Sequence, residues 1–276
     1  MFWTYNIINK KLLKFKCTLL PLLIIYFLIK KRMKTIVIIP SRLAATRLPG
    51  KPLLKINGLS IISHVVKKAV EANLGEVFVA AEDQEIIDDV SKNGGQGILT
   101  SKTHKTGTDR IYEAIKKLGK KDIELVINLQ GDEPLINIDD IKYLYNNMIK
   151  YKSLLGTLGS NIEDVKLHDE NNVVKVITQE KLDDKQFPEA KNFLRKSNYE
   201  DKNTYHHLGI YCYRLDTLEK FVYLKQSEME IKHRLEQLRA LENDIKINVA
   251  LAKTSPIGVD TEEDLIAIKK IMEYKH

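Results

Sequence analysis

The sequence predicts an α/β fold with a mostly parallel sheet and helices on both faces. From Thr35 onward, short apolar runs alternate with stretches of helical periodicity, which is typical of a parallel sheet. Several runs are nearly continuous in apolar residues, as expected of strands that are covered on both faces. No internal repeat or flexible linker interrupts the pattern, so we expect a single domain over residues 34–276.

Eight apolar runs are the predicted strands, and helical patterns lie between them. The first of the helices opens on Ser60, a residue type that caps helix N-termini well. The polar, irregular stretch 180–205 predicts an insertion or lid at the edge of the sheet. The predicted strands span residues 35–40, 76–81, 97–100, 124–130, 154–160, 172–178, 207–214 and 246–252. The predicted helices span residues 60–73, 107–119, 138–152 and 260–274.

The positive charge of the chain is concentrated at its start. The formal net charge is +7, with 44 Lys and Arg residues against 37 Asp and Glu residues. Residues 1–33 hold seven of these cations and no acid, so the rest of the chain is formally neutral. A neutral domain lacks the excess of positive charge expected of a duplex-binding protein. We therefore expect no nucleic-acid partner.

Residues 1–33 are predicted to lie outside the domain, as an N-terminal extension. Their apolar run, 17–29, is shorter than the ~20 residues that a transmembrane helix needs, and Pro21 interrupts it. No small-residue cleavage site follows, as a signal peptide would require. The favoured interpretation is an upstream extension ahead of Met33; a membrane-surface anchor comes next, and a spanning helix last. Membrane contact is expected only if this segment is translated and retained.

The chain has two cysteines, Cys17 and Cys212, and only Cys212 lies in the domain. A disulfide within the domain is therefore excluded, and no Cys/His cluster has zinc spacing. A reducing, cytoplasmic location is expected.

A stiff, basic loop follows the first predicted strand. Three prolines restrict its backbone and Gly50 permits a turn that other residues resist. The loop presents Arg42, Arg47 and Lys51. These residues suit a polyanion, because Arg grips phosphate oxygens in a fork while Lys adds a point charge. The residues alone leave two interpretations open, a phosphate site and a solvated basic loop.

Acidic residues follow two other predicted strands. Asp132 and Glu133 come after the strand 124–130, and Asp260 comes after the last strand. Ligands of open α/β sheets bind beyond the carboxyl ends of the strands. Mg²⁺ takes one or two carboxylates together with phosphate oxygens, so these residues predict a magnesium site. The alternative is structural: an ordinary turn at residues 129–134, and an N-cap of the last helix at Asp260.

Other polar residues carry weaker signals. Thr106, Thr108 and Arg110 lie near a predicted helix N-terminus, where anions or ring edges can be held. A lone histidine such as His207 is more often structural than functional. A further helix is predicted over 233–239, with consecutive side chains on different faces.

Six motifs together resemble one family. The motifs IIPSRLAATRLPGKPL, TGTDR, NLQGDEP, HHLGIYCYR, LEQLR and GVDTEEDL occur in the order found in 3-deoxy-manno-octulosonate cytidylyltransferases, over essentially all of residues 34–276. RLPGKPL alone would indicate only the wider group of sugar nucleotidyltransferases, which includes the CMP-sialic acid synthetases. The GTDR, HLGIYCYR and LEQLR motifs point to the branch that uses 3-deoxy-D-manno-octulosonate (Kdo).

The resemblance implies an enzyme that converts CTP and Kdo to CMP-Kdo and pyrophosphate with Mg²⁺. This reaction is a step toward the lipopolysaccharide inner core in the bacterial cytoplasm. The resemblance also implies a homodimer. The implied fold is that of the nucleotide-diphospho-sugar transferases, a Rossmann-like sheet with an inserted sugar-binding and dimer-forming part.

The resemblance further implies roles for the residues at matching positions. The residues expected to bind the triphosphate are Arg42, Arg47 and Lys51. The residues expected to bind Mg²⁺ are Asp132 and Asp260, which together with Arg47 and Lys51 would carry catalysis. The residues expected near the cytidine are Thr106, Thr108 and Arg110. The residues expected to hold the sugar acid are Gln130, Arg195, His207, Glu236 and Gln237, with Arg195 on its carboxylate.

Three positions depart from the family pattern. Ala45 stands where serine is usual, and Cys212 stands where glycine is usual. Near residues 193–200 the sequence reads FLRKSNYE, and the apolar IPW group that follows FSR in the family is absent. The accepted acid sugar is therefore open between Kdo and another acid sugar such as sialic acid. A membrane-tethered nucleotide-binding module without turnover is an alternative of another class, which the intact loop cations and carboxylates disfavour.

Overall fold

The apolar runs of the sequence form the central sheet. The structure is a computed structural model that describes residues 33–44, 47–198 and 202–273. The described elements lie in one unit, Thr35–His276. The strands are β1 (Thr35–Ser41), β2 (Lys55–Ile56), β3 (Leu59–Ser60), β4 (Glu76–Ala81), β5 (Gly97–Leu99), β6 (Leu125–Asn128), β7 (Leu155–Ser160), β8 (Lys175–Thr178), β9 (Ala190–Leu194), β10 (Thr204–Arg214) and β11 (Ile247–Leu251). The helices are α1 (Ile61–Ala72), α2 (Gln84–Lys92), α3 (Gly107–Leu118), α4 (Ile138–Tyr151), α5 (Leu215–Val222), α6 (Glu228–His233), α7 (Leu238–Leu241) and α8 (Glu262–Glu273).

The main sheet is mixed, and four of the six strand pairs along its central order are parallel. Its strand order is β11-β7-β10-β6-β1-β4-β5, and β8 and β9 extend it from β10. β1 pairs parallel with both β4 and β6, β4 with β5, and β11 with β7. β10 runs antiparallel to β6 and β7. The prediction of a mostly parallel α/β sheet is confirmed, and β10 is the antiparallel strand in its middle.

Helices pack against the sheet through the alternating side chains of its strands. Ile36 and Ile38 of β1 belong to one buried cluster with Ile111 of α3 and Phe221 of α5. Side chains alternate along a strand, so Ile39 points to the other face of the sheet. α1 and α4 pack against each other, as do α3 and α5. The sequence prediction of Ser60 as the N-cap of α1 is confirmed, since its hydroxyl accepts the Ser63 amide at 3.2 Å.

The segment 180–205 is not the irregular lid that its polar sequence predicts. It contains β9 and the start of β10, and β8 pairs antiparallel with both strands. Phe193 and Tyr205 from this segment are buried in the main core cluster. The strand pattern is weak in the sequence because β9 has only two buried side chains, Ala190 and Phe193.

The helix predicted over 233–239 is wrong. α6 ends at His233, and Arg234 adopts a left-handed conformation with φ of 53°. A residue in that conformation ends a right-handed helix. Glu236 and Gln237 therefore lie in a turn ahead of α7 instead of on a helix.

Among the described residues, none of the helices has the length and apolar character that crossing a bilayer requires. The apolar run 17–29 lies outside the described residues, and so does most of the extension 1–33. The proposed start of the domain at residue 34 stays a prediction.

Candidate active site

A cavity of about 430 Å³ opens beyond the carboxyl ends of β1 and β6. Four separate segments line it: the loop after β1, the residues that lead into α3, the turn after β6 and the loop before α8. All but one of the nucleotide-binding and metal-binding residues predicted from the sequence line this cavity. They are Arg42, Arg47, Lys51, Thr106, Arg110, Asp132 and Asp260.

Lys51 is the centre of a charge cluster in this cavity. Its ammonium nitrogen donates to Asp132 Oδ2 at 2.5 Å and to Asp260 Oδ1 at 3.0 Å. It also donates to the backbone oxygen of Val259 at 3.0 Å. Arg47 donates from a guanidinium nitrogen to Asp260 Oδ2 at 2.8 Å, and this pair is half exposed. Two predicted cations and both predicted metal carboxylates thus meet at one point.

The cluster shifts the protonation of its members. Burial lowers the pKa of Lys51, but the charge and hydrogen bond of Asp132, with those of Asp260, outweigh this and raise it above its ordinary value. Burial raises the pKa of Glu133 to about 8, and the negative charges of Asp132 and Asp260 add to the effect. Lys51 is therefore cationic at neutral pH, while Glu133 is mostly protonated.

Neither aspartate is used as a helix cap, which was the structural interpretation of Asp260, while Asp132 does lie in a turn after β6. The last helix is capped by Thr261, whose hydroxyl accepts the Asp264 amide at 3.2 Å. Asp264 Oδ2 in turn accepts the amides of Asp260 and Thr261 at 3.0 and 2.9 Å. The cap of α4 is Asn137, whose side chain accepts the amide of Asp139. The carboxylates of Asp132 and Asp260 are therefore available to the cavity.

The loop after β1 has the stiff conformation that its prolines predict. Leu43 O accepts the amide of Gly50 at 3.1 Å, which closes the loop on itself. Gly50 has a φ of 70°, a left-handed conformation that glycine adopts without strain. It leads into a short 3₁₀ helix, Lys51–Leu53, whose Pro52 is buried. This turn fixes the start of the Lys51 side chain at the floor of the cavity.

Asp132 and Asp260 fit a divalent cation. Their oxygens converge on a single positively charged atom, Lys51 Nζ, at 2.5 and 3.0 Å. Mg²⁺ takes one or two protein carboxylates and completes its shell with water and substrate phosphates. Within the described part of the chain, no group of three or more His, Cys, Asp or Glu side chains is placed to hold a metal. Asp132 and Asp260 are thus the candidate carboxylates for such an ion among the described residues.

A second cavity of about 220 Å³ adjoins the first. Pro40, Gly107 and Gln130 line both cavities. Gln130 is held at this junction by a 2.7 Å hydrogen bond from its amide nitrogen to Gly209 O. Three more of the substrate-binding residues predicted from the sequence line the second cavity: Thr108, Glu236 and Gln237.

Within the described part of the chain, two buried acceptor oxygens in the second cavity have no hydrogen-bond partner: Asn128 Oδ1, and Glu236 Oε1, which lies 3.8 Å from a guanidinium nitrogen of Arg239. Burial raises the pKa of Glu236, an effect that the side chains of Thr108 and Thr106 oppose. Buried oxygens of this kind are normally paired, so both are suited to hydroxyl donors of a ligand. Asn128 was missed in the sequence, although a single amide inside the apolar run ELVINLQ was a usable signal.

Tyrosines complete the second cavity and were also missed. Tyr211 and Tyr213 line it, and both are almost fully buried. Alternation along HHLGIYCYR predicts a strand but does not tell which face lines a site. Ser41 lines the first cavity and was also missed; its buried hydroxyl has no hydrogen-bond partner among the described residues.

Arg195 and His207 line neither of the two cavities. Arg195 donates to the backbone oxygens of His233, Asn171 and Arg234 at 2.8, 2.9 and 3.0 Å. It thereby ties the β9 end to the turn that carries Glu236. The sugar-carboxylate role of Arg195 stays a prediction.

His207 lies behind the second cavity. Its Nε2 is 3.0 Å from the hydroxyl of Thr157, and its ring contacts Phe193 and Tyr211. Burial lowers the pKa of His207 to about 3, so the ring is neutral. It supports Tyr211, which lines the cavity, and its predicted contact with the sugar stays a prediction.

Cys212 is fully buried on β10, and burial raises the pKa of its thiol. This agrees with a packing role. Two of the departures from the family pattern, Ala45 and part of the stretch near 193–200, lie outside the described residues.

Comparison with known proteins points in one direction. A sequence model of the family described as Cytidylyltransferase matches residues 36–247. The 3-deoxy-manno-octulosonate cytidylyltransferase of Afipia carboxidovorans is 42% identical over 240 residues, which cover 86% of this chain and 96% of that protein. The enzyme of the same name from Bartonella tribocorum is 38% identical, over 87% of this chain and 99% of that protein.

Solved structures agree with the sequence relatives. The structure of a CMP:2-keto-3-deoxy-manno-octonic acid synthetase complexed with CTP matches with a TM-score of 0.79 and 34% identity, over 88% of this chain and all of that chain. A UDP-glucose pyrophosphorylase complexed with UDP-glucose matches with a TM-score of 0.65 and 17% identity, over 88% of this chain and all of that one. The second likeness shows a shared fold only.

Proposed function

The chain belongs to the 3-deoxy-manno-octulosonate cytidylyltransferase family, and on this premise we propose that it converts CTP and Kdo to CMP-Kdo and pyrophosphate for lipopolysaccharide synthesis. The observation that carries the proposal is the pair of adjoining cavities. One is lined by five Lys and Arg side chains and two aspartates, the other by two buried acceptor oxygens without a hydrogen-bond partner among the described residues, and Gln130 lies where they meet. This arrangement suits a triphosphate on one side and a polyhydroxyl acid on the other.

The first cavity accounts for the nucleotide. Arg42, Arg47 and Lys51 supply positive charge to the β- and γ-phosphates, and they stabilise the charge that builds up on the leaving pyrophosphate. Thr106 and Gly107, at the start of α3, also line this cavity and are proposed to lie near the cytidine. Catalysis on this basis depends on positioning and charge neutralisation.

We propose Asp132 and Asp260 as the carboxylates that hold Mg²⁺. When bound, the ion would polarise the α-phosphate and lower the pKa of the attacking sugar hydroxyl. Lys51, which joins the two aspartates in this structure, is then free to turn toward phosphate oxygens.

The second cavity is proposed to hold the sugar acid. Glu236 and Asn128 would each accept a hydrogen bond from a sugar hydroxyl with an oxygen that has no hydrogen-bond partner among the described residues. Gln237 and Gln130 add amide groups from two sides of the cavity. The anomeric hydroxyl of a sugar held here faces the junction at Gln130, from which it attacks the α-phosphorus in line.

A homodimer and a cytoplasmic location follow from the family resemblance and are proposed on that basis. The location rests on the biosynthetic role of the relatives, and the dimer on the family alone. Size-exclusion chromatography with light scattering tests the dimer, since a monomer at micromolar concentration would contradict it.

The proposed function is tested by measuring pyrophosphate release with CTP, Mg²⁺ and a panel of 2-keto sugar acids. We expect release only when Kdo, CTP and Mg²⁺ are all present. Turnover with sialic acid but not with Kdo would move the chain to a sister activity. CTP binding without turnover on any acid sugar would favour a nucleotide-binding module, and a chain that begins at Met33 shows whether the extension contributes.

A further inference from the structure

Two adjacent carboxylates, Glu82 and Asp83, follow β4 at the edge of the sheet where the nucleotide cavity opens. β4 lies between β1 and β5, and its last residue, Ala81, is level with Ser41 on one side and Leu99 on the other. The loops that leave β1 and β5 therefore start on either side of these carboxylates. Neither carboxylate lines the cavity.

Asp83 fastens the loop after β1. Its Oδ2 accepts the backbone amide of Leu43 at 2.7 Å, across 40 residues of sequence. The carbonyl of Leu43 accepts the Gly50 amide, so the two backbone groups of this one residue close the loop and attach it to the domain. Arg47 lies within the part of the loop that this contact holds.

Asp83 binds the amide of Leu43 instead of an amide of α2, which its position would favour. It is the N-cap residue of α2, yet its side chain makes no capping hydrogen bond to that helix. A capping carboxylate normally accepts an amide of its own helix. Here the Asp83 carboxylate accepts an amide of the loop after β1 instead, which indicates a role outside α2.

Glu82 fastens the opposite wall. Its carboxylate pairs with Arg110, a side chain that is only 4% exposed. Arg110 also donates to the hydroxyl of Thr100 at 2.6 Å and lies 3.4 Å from Ser101 O. The ion pair therefore holds the segment 100–106, which leads into α3 and carries cavity residues such as Thr106.

We propose that Glu82 and Asp83 are positioning residues that set the affinity for CTP by fixing the two facing walls of its cavity, without touching the nucleotide. The proposal rests on the proposed function, because it takes CTP as the ligand of that cavity. Each carboxylate controls its own wall, so loss of one loosens one loop and leaves the other in place.

The main test replaces Asp83 by serine. Serine is a good N-cap for α2 but its hydroxyl is too short to reach Leu43, so Asp83→Ser separates helix stability from loop fastening. We expect the KM for CTP to rise about tenfold, the factor that loss of one charge-assisted hydrogen bond predicts, with kcat within about twofold and an unchanged KM for Kdo. Hydrogen exchange should speed up in residues 42–51 and stay unchanged in residues 100–106.

Glu82→Gln should loosen the other loop instead. We expect faster exchange in residues 100–106 but not in 42–51, and a raised KM for CTP that Glu82→Asp partly restores. Glu82→Asp also covers the case in which Glu82→Gln fails to fold. The matched control is Glu85→Gln, an exposed carboxylate on the first turn of α2, which should change neither KM nor exchange.

An unchanged KM for CTP in Asp83→Ser, or exchange that rises equally in both loops, would overturn the proposal. If the proposed function itself is wrong, the wild-type protein will release no pyrophosphate. In that case the exchange pattern of the two variants, measured without substrate, still decides whether each carboxylate fastens its own loop.

Discussion

Replacing Lys51 by alanine separates two roles that its contacts allow. Lys51 joins Asp132 and Asp260 in this structure, so its ammonium neutralises the carboxylates. In the complex the same ammonium is proposed to bind a phosphate. If the phosphate role is right, the variant loses affinity for CTP; if only the neutralising role is right, the variant changes the demand for Mg²⁺ instead.

The size of the effect follows from the exposure of the groups involved. One charge-assisted hydrogen bond contributes ~1.5–3 kcal/mol, which corresponds to a loss of roughly 10- to 150-fold in kcat/KM. The cost in folding is smaller. Lys51 is 15% exposed, but its partners Asp132 and Asp260 are 29% and 40% exposed and remain solvated without it. We expect the free energy of unfolding to fall by ~1 kcal/mol or less.

The assay is pyrophosphate release with CTP varied at saturating Kdo and Mg²⁺, and then with Mg²⁺ varied. We expect a raised KM for CTP, an unchanged KM for Kdo, and no increase in the Mg²⁺ concentration that gives half-maximal rate. Lys55→Ala, an exposed lysine four residues along the chain, is the matched control and should behave as wild type. A KM for CTP that stays unchanged in Lys51→Ala would refute the triphosphate role.

Three further predictions follow from the site and its surroundings. Asp132→Asn and Asp260→Asn should each lower kcat at least ~100-fold, because they remove a proposed metal carboxylate, with only a small drop in melting temperature from the lost ion pair with Lys51; near-normal turnover would remove that residue from the metal site. Arg195→Met should lower the free energy of unfolding by ~1–2 kcal/mol in urea titration, because three backbone carbonyls lose their donor and two of them are exposed to water, which replaces it; an unchanged midpoint would show that the contacts are not maintained in solution. The pKa of His207 is about 3 in the folded protein, against an ordinary value of 6.5. The free energy of unfolding should therefore fall by about 1.4 kcal/mol for each pH unit below 6.5, and stay level above it, because the unfolded chain binds a proton that the folded protein does not. His207→Gln should flatten this slope in urea titrations, and an unchanged slope would contradict the assignment.

The strands were readable from the sequence because they are buried on both faces. Each predicted strand from 35–40 to 246–252 overlaps an observed one, since continuous apolar runs have few other places in a domain. α2 was not predicted, and it buries only Ile86 and Val90 within nine residues. The turn at 234–237 could not be predicted either, because arginine is not a residue type that signals a left-handed conformation.

The members of the candidate site were predictable one at a time, but their contacts were not. Each follows a strand, which is where open α/β sheets place ligand groups. The pairing of Lys51 with Asp132 and Asp260 joins positions 81 and 209 residues apart, which no local pattern encodes. The contact between Asp83 and Leu43 could not be predicted either, since an aspartate at the start of a helix is ordinarily its cap.

The charge balance of the cavity gives a physical reason for a divalent cation there. Without substrate, Lys51 neutralises two aspartates whose charges already help to raise the pKa of the neighbouring Glu133 to about 8. A triphosphate brings several more negative charges to the same place and competes for Lys51 and the two loop arginines. As those cations turn toward phosphate, Asp132 and Asp260 are left facing both each other and the nucleotide, an arrangement that like-charge repulsion disfavours. A divalent cation that arrives with the nucleotide restores the balance, so CTP and Mg²⁺ should bind cooperatively, and neutralising either aspartate should weaken this coupling.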